Sequence, residues 1–228
     1  MNKMYDDHNI FMFDYDFDKE ELIKYYHEFA NDQNVINQHW PWIIEEGSIK
    51  KTWMDVENGW ERRQMRPSTI KDPAKLKNYP YIQHLLHTFD IFDRAGAGFF
   101  KFAKNFQQIV HRDGGDYRVQ NHAETTAELK KNGIYETFKQ YTLPEGHKGL
   151  CSINLILDSD TGVHFTSTNT KEKSEDDPHY IYESALLNVD NHHYVSTSDK
   201  ERLLFKIQIY EPDFATCVQR LKSKLKLN

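Results

Sequence analysis

Apolar residues recur at helical spacing in two stretches of the first 97 residues. Residues 19–30 follow Asp18, a residue type that often caps a helix, and residues 81–89 form a second, shorter stretch. The apolar positions are Leu22, Ile23, Tyr26 and Phe29 in the first stretch and Ile82, Leu85, Leu86 and Phe89 in the second. The spacing predicts two amphipathic helices, with loops elsewhere in this N-terminal third.

From residue 98 onward the pattern changes to the short apolar and alternating runs that are typical of β-strands. The predicted strands are residues 98–104, 106–111, 150–157 and 163–168, with three more between residues 180 and 210. Residues 124–141 are predicted to be helical or irregular, and the polar run 169–178 to be an exposed loop. Pro212 is predicted to begin a terminal helix, whose apolar side would carry Phe214, Val218, Leu221 and Leu225.

Composition is that of a globular protein. The chain has 228 residues, of which 38% are hydrophobic and 28% charged, so it is neither membrane-spanning nor disordered by composition. Aromatic residues make up 14% of the chain, which suits a β-rich core. We expect one domain, in which residues 1–97 form a helical or irregular N-terminal support, residues 98–210 the β core and residues 211–228 a C-terminal helix.

Charge and cysteine content narrow the classes of protein further. The formal charge of −6 argues against a general nucleic-acid binder, although a local basic groove is compatible with it. The N-terminus lacks the apolar stretch of a signal peptide, and no run is long and apolar enough to cross a membrane. Cys151 and Cys217 lie far apart in the sequence, which predicts two buried thiols and no disulfide framework. We therefore expect a cytoplasmic protein.

Candidate metal ligands stand at the ends of two apolar runs. His111 and Asp113 lie two residues apart, and in an extended strand such residues point to the same side while Arg112 points away. His193 lies in a second stretch, and Arg202 opens the apolar run that follows it. Two histidines and one carboxylate on one face are the ligand set of non-haem Fe(II) oxygenases. An arginine close by would suit a dicarboxylate co-substrate.

The combined pattern resembles that of the 2-oxoglutarate/Fe(II)-dependent dioxygenase superfamily. In that family HxD is followed by a long gap, then by HxV and by an Arg or Lys a short interval later. The segments His111-Arg112-Asp113 and His193-Tyr194-Val195, with Arg202, match these parts in order. Residues 184–188 also resemble the strand that precedes the distal histidine in prolyl and aspartyl/asparaginyl hydroxylase-like members. The resemblance covers residues 98–210.

The resemblance implies a mainly β fold, a double-stranded β-helix (jelly-roll, cupin-like) core with N-terminal helices and a C-terminal helix. It implies a catalytic set in which His111, Asp113 and His193 bind Fe(II) and Arg202 binds the distal carboxylate of 2-oxoglutarate. O2 would be the second co-substrate, and ascorbate is a candidate reductant. The implied reaction is hydroxylation of a C–H bond with release of succinate and CO2. Asp113 favours hydroxylation, since related halogenases replace this carboxylate with a small residue.

Several alternatives stay open at the level of the sequence. The resemblance favours an amino-acid side chain as substrate, free or within a peptide or protein, while a nucleobase, a lipid or a small metabolite is also compatible with it. A metal-binding β-barrel without turnover, such as a sensor or pseudo-enzyme, is an alternative of another class. A cupin-type metalloenzyme that uses no oxo acid is a third. The intact ligand set and Arg202 disfavour both, and the oligomeric state is not fixed by the sequence.

Two expectations concern the surroundings of the metal. Adjacent strand residues point to opposite faces, so only one of His192 and His193 can face the ion. Choosing His193 turns the small Val195 inward, whereas choosing His192 would turn the bulky Tyr194 inward, and we therefore favour His193. Residues 114–148 follow the HxD segment and are predicted to form a lid. Its residues Asp116, Tyr117 or Arg118 would lie near the open coordination positions.

Overall fold

The computed structural model describes residues 5–33, 35–45, 48–51, 59–65, 73–106, 108, 110–113, 150–170, 172–196 and 198–227. Its helices are α1 (Lys19–Phe29), α2 (Pro73–Leu76), α3 (Pro80–Thr88) and α4 (Phe214–Leu225). Its first six strands are β1 (Tyr5–Asp6), β2 (Ile10–Met12), β3 (Val35–Glu45), β4 (Ser48–Lys51), β5 (Gly59–Met65) and β6 (Arg94–Phe102). The remaining strands are β7 (Cys151–Asp158), β8 (Val163–Phe165), β9 (His179–Tyr180), β10 (Ser184–Leu187), β11 (His193–Val195) and β12 (Arg202–Glu211).

The strands form two antiparallel sheets. The larger sheet has nine strands in the order β1-β2-β10-β7-β12-β6-β5-β3-β4, and the smaller sheet has three in the order β11-β8-β9. Apolar side chains of both sheets, among them Ile156, Leu204 and Phe165, pack in one buried cluster between them. The predicted mainly β, double-stranded β-helix core with helices before and after it is confirmed in this arrangement of two antiparallel sheets.

Strand β12 lies at the centre of the larger sheet, and its alternation separates the two faces. Leu203, Phe205 and Ile207 belong to a cluster that includes buried residues of α1, α3 and α4. Leu204 belongs instead to the cluster between the sheets. The helices therefore cover one face of the larger sheet, and the even-numbered residues of β12 face the smaller sheet.

The three predicted helices and most predicted strands are confirmed, because their periodic patterns are strong. Helix α1 begins after Asp18, whose carboxylate accepts a hydrogen bond from the backbone N–H of Glu21 at 2.9 Å. Helix α3 starts one residue earlier than predicted, at Pro80. The terminal helix starts at Phe214 rather than at Pro212, because Asp213 caps it by accepting from the backbone N–H of Thr216. The predicted apolar face of this helix is buried or partly buried.

The prediction that residues 1–97 contain helices and loops alone needs correction, since strands β2, β3 and β5 join the larger sheet. The sequence of β5 is Gly-Trp-Glu-Arg-Arg-Gln-Met and shows no apolar alternation that would mark a strand. Its pairing with β6 depends on close approach of the two backbones at Gly98. A Cβ atom there would lie 2.4 Å from the carbonyl oxygen of Arg63. Such a contact between distant segments cannot be recognised from local periodicity.

Two further predictions concern segments that the structure describes only in part or not at all. Of the predicted strand 106–111, the described residues contribute only an isolated bridge at His111. The segment 124–141 and the predicted lid 114–148 lie outside the described residues. Within the described part of the chain, no helix has the length and apolarity that crossing a membrane would require.

The two cysteines are free and buried, as predicted, and the fold brings them together. Their Sγ atoms lie 3.5 Å apart between β7 and α4. The hydrogen bond with Cys217, together with burial, raises the pKa of the Cys151 thiol, and a thiol reacts as its thiolate. We therefore expect the native protein to react with a disulfide reagent on the order of 1000-fold more slowly than the unfolded protein. Rapid labelling of the native protein, or fewer than two thiols after unfolding, would contradict this expectation.

Candidate metal centre

Backbone pairing places two of the predicted ligands side by side. His111 and His193 form an antiparallel bridge in which each backbone N–H donates to the other residue's carbonyl, at 3.1 and 2.9 Å. Side chains of directly opposed residues lie on the same side of a sheet. Asp113 lies in the turn after the bridge rather than in a strand, and its N–H donates to the carbonyl of Val189 at 2.9 Å. The turn brings its carboxylate beside both imidazoles.

The three side chains converge closely enough to share one ion. Oδ1 of Asp113 lies 3.3 Å from Nε2 of His111 and 3.7 Å from Nε2 of His193. The imidazole rings of the two histidines have centroids 4.5 Å apart. One ligand atom from each residue lies within 4.8 Å of the others. The arrangement offers two nitrogen ligands and one oxygen ligand from one side.

Second contacts fix the orientation of both kinds of ligand. Nδ1 of His193 lies 2.8 Å from the carbonyl oxygen of Asn191, and a proton on Nδ1 leaves the Nε2 lone pair directed at Asp113. Oδ2 of Asp113 accepts hydrogen bonds from Nζ of Lys206 at 2.5 Å and from Nε2 of Gln208 at 3.2 Å. Both donors lie on β12, on the face that is turned toward the smaller sheet.

Electrostatics favour the protonation states that bind metals. Burial alone would raise the pKa of Asp113, but the Lys206 ammonium, the hydrogen bond from His111 and the charges of the histidines hold it well below its usual range. Burial, aided by repulsion from His111, lowers the pKa of His193 to about 3. At neutral pH Asp113 is therefore an anion and His193 a neutral imidazole, the forms in which these side chains coordinate metal ions.

The structure places His193, and not His192, in this cluster. Nδ1 of His192 lies 3.1 Å from Oδ1 of Asn169, on the other side of the strand. Tyr194 also faces away from the ligand cluster. Its hydroxyl donates to Asp177 at 3.2 Å, and its ring stacks on His164. Val195 packs against the apolar cluster between the sheets. The alternation follows the register that the sequence favours.

Arg202 opens β12 and is almost fully buried, with 3% of its surface exposed. Its NH1 donates to the carbonyl oxygens of Thr161 at 2.6 Å and Gly162 at 3.2 Å, and its NH2 donates to the hydroxyl of Tyr182 at 3.2 Å. Its Nε has no hydrogen-bond partner among the described residues. A buried guanidinium N–H without an acceptor is costly, which indicates that a ligand or water satisfies it.

Three polar residues around these side chains were not identified from the sequence, and a fourth, Lys206, was predicted there only as an alternative anchor for the oxo acid. Tyr182 contacts Arg202, and its hydroxyl also accepts a hydrogen bond from Nδ2 of Asn154 at 3.1 Å. Lys206 and Gln208 contact Asp113. The signal for the last two is their position, since they share a face with Arg202 on an otherwise apolar strand. For Tyr182 and Asn154 the sequence contains no comparable signal.

Comparison with solved structures finds distant likenesses. The chain is similar to a prolyl-4-hydroxylase from Pseudomonas putida, with 11% identity and a TM-score of 0.35, over 68% of this chain and 73% of that one. It is similar to HygX from Streptomyces hygroscopicus with nickel, 2-oxoglutarate and hygromycin B bound, with 10% identity and a TM-score of 0.40, over 88% and 82% of the two chains. A third similar structure is YcfD, a ribosomal oxygenase from Escherichia coli, with 6% identity and a TM-score of 0.40, over 89% of this chain and 47% of that one. Neither a protein-family model nor a curated protein matches the sequence.

Proposed function

We propose that the protein is an Fe(II)- and 2-oxoglutarate-dependent oxygenase that hydroxylates a C–H bond, with an amino-acid side chain, free or within a peptide or protein, as the substrate class. The observation that carries the proposal is the convergence of His111, Asp113 and His193, whose ligand atoms lie within 4.8 Å of one another. Two imidazoles and one carboxylate fit Fe(II), and they leave coordination positions open for the co-substrates.

The surroundings of Arg202 support a binding site for the distal carboxylate of the oxo acid. The Nε of Arg202 is a buried donor with no partner in the described part of the chain. Tyr182 accepts hydrogen bonds from both Arg202 and Asn154, so that its own proton is left for a further acceptor. A carboxylate between these two donors would satisfy both with charge-assisted hydrogen bonds. Arginine suits the role because its fork can meet two carboxylate oxygens at once.

The distance between Arg202 and the ligand cluster suits a five-carbon diacid. Arg202 and Lys206 lie four residues apart on one face of β12, a separation of about 13 Å at the usual rise of a strand. Two inward-reaching side chains and a molecule the length of 2-oxoglutarate would span this distance. Leu204 lies between them and pairs with Ile156, and both are buried. They would pack against the methylene carbons of the diacid.

Each part of the chain then has a separate task in the reaction. When bound, Fe(II) and 2-oxoglutarate supply the activation of O2, in which one oxygen atom enters succinate and the other the substrate, with loss of CO2. His111, Asp113 and His193 hold the metal, and Arg202 orients the oxo acid. Phe165, whose ring centroid lies 5.7 Å from that of His193, and the apolar cluster between the sheets keep water away from the ligands.

Succinate formation tests the proposal. The purified protein would be incubated with Fe(II), 2-oxoglutarate and O2, with and without trial peptides and amino acids, and succinate would be measured. We expect slow succinate release without substrate, and no release from Asp113→Ala, while His192→Ala should act like the wild type. Metal binding without 2-oxoglutarate binding or succinate would instead support a non-catalytic metal-binding protein.

A further inference from the structure

The two oxygens of the Asp113 carboxylate meet different partners. Oδ1 faces Nε2 of both His111 and His193, at 3.3 and 3.7 Å. Oδ2 accepts one hydrogen bond from the ammonium of Lys206 and one from the amide of Gln208. A carboxylate oxygen has about two lone-pair directions, so these two hydrogen bonds fill those of Oδ2. Only Oδ1 is left to bind a metal together with the imidazoles.

We propose that Lys206 and Gln208 are positioning residues that hold Asp113 as a one-oxygen ligand. The inference rests on the proposed function, because it concerns how the ligand set of that site binds its metal. A carboxylate that coordinated through both oxygens would take one of the positions that two histidines and a single oxygen leave open. Lys206 and Gln208 would therefore preserve the coordination position that the oxo acid or O2 requires.

The placement of the two donors suits this role. Both lie on β12, which is paired with β6 on one side and β7 on the other, so their backbone positions are fixed by two neighbours. Lys206 is 8% exposed, and its ammonium lies 5.1 Å from the centroid of the Phe100 ring. Asn154 is its direct partner on β7. A side chain held in this way cannot follow the carboxylate if the carboxylate rotates.

The charge of Lys206 adds a second consequence for the site. Its ammonium offsets the negative charge of Asp113, and therefore a divalent ion bound there would keep more of its attraction for a doubly negative oxo acid. Removing the ammonium should not weaken binding of the metal and should strengthen it, since the metal loses a repulsive neighbour and gains a second carboxylate oxygen. Binding of 2-oxoglutarate should weaken. A merely structural role would instead weaken both.

The test uses Mn(II) as the metal in the absence of O2. Lys206→Met keeps the length of the side chain and removes its charge, and Gln208→Leu removes the second donor. Lys101→Met is the matched control, because Lys101 on neighbouring β6 pairs with Glu201 at 2.9 Å, away from the cluster. Calorimetry would give the affinities for Mn(II) and 2-oxoglutarate. The number of water molecules bound to the ion would be obtained from the broadening of the Mn(II) electron paramagnetic resonance lines in ¹⁷O-labelled water.

In the wild type and in Lys101→Met we expect three metal-bound waters, and in Lys206→Met two. The dissociation constant of 2-oxoglutarate should rise about 10-fold or more in Lys206→Met and less in Gln208→Leu, while that of Mn(II) should not rise in either variant. Three waters with unchanged 2-oxoglutarate affinity in Lys206→Met would overturn the inference, as would equal loss of both affinities. If Lys206→Met does not fold, Gln208→Leu decides by the same criteria. Failure of the wild type to bind Mn(II) would instead refute the proposed function.

Discussion

The His193→Ala variant is expected to lose metal binding, with an affinity for Mn(II) or Fe(II) at least about 100-fold below that of the wild type. Loss of an outer contact to a metal ligand commonly costs about 10- to 100-fold, and loss of the ligand itself should cost more. His111→Ala and Asp113→Ala should behave in the same way. Calorimetric titration with Mn(II) measures the effect, and circular dichroism verifies that each variant is folded.

His192→Ala is the matched control for this prediction, since it removes the same side chain from the adjacent residue. The His192 ring lies beside Asn169, away from the ligand cluster, so the variant should bind the metal almost as the wild type does. If His192→Ala abolished binding while His193→Ala retained it, the strand would have the opposite register in solution. The ligand set would then be wrong.

The second large effect is expected at Arg202. Arg202→Ala should weaken binding of 2-oxoglutarate by about 30- to 1000-fold, because loss of a charge-assisted bidentate pair costs about 2–4 kcal/mol. Affinity for the metal should change far less, since the hydrogen bonds of Arg202 go to two loop carbonyls and to Tyr182, and Arg202 lies four residues from Lys206 along β12. Arg202→Lys should recover only part of the loss, because lysine lacks the fork. Anaerobic titration of the Mn(II)-loaded variants with 2-oxoglutarate gives the values.

Two controls separate binding from stability in this experiment. Arg202 also holds the backbone carbonyls of Thr161 and Gly162, so thermal unfolding of Arg202→Ala must be measured alongside the titration. Arg220→Ala removes an arginine that pairs with Asp93 at the surface, and it should leave 2-oxoglutarate binding unchanged. Normal binding of 2-oxoglutarate by a folded Arg202→Ala would exclude this residue as the anchor.

The ligand cluster could be predicted from the sequence because strand alternation and the order of the motif act together. The step of two residues from His193 to Val195 fixes which of them share a face, and Tyr194 then has to point away. Arg202 could be placed because it opens a clear apolar run. The pairing of His111 with His193 is a long-range contact, and local periodicity does not determine it. It followed from the resemblance instead.

Other parts of the fold and of the site could not be predicted in this way. Strand β5 is rich in charged residues and exists because Gly98 lets two backbones approach closely. Tyr182 contacts Arg202, and Asn154 contacts Tyr182, only after the chain has folded, so nothing in their own sequence surroundings marks them. Lys206 could be considered from the sequence as a second anchor for the oxo acid. In the structure its ammonium contacts Asp113, which assigns it a different role.

The most direct measurement for the proposed function is a crystal structure of the protein grown with Mn(II) and 2-oxoglutarate in the absence of O2. Anomalous scattering would locate the ion independently of the protein chain. We expect one strong peak within coordination distance of Nε2 of His111, Oδ1 of Asp113 and Nε2 of His193, with the distal carboxylate of the oxo acid on Arg202. An ion bound elsewhere, or an oxo acid that does not contact Arg202, would contradict the proposed function.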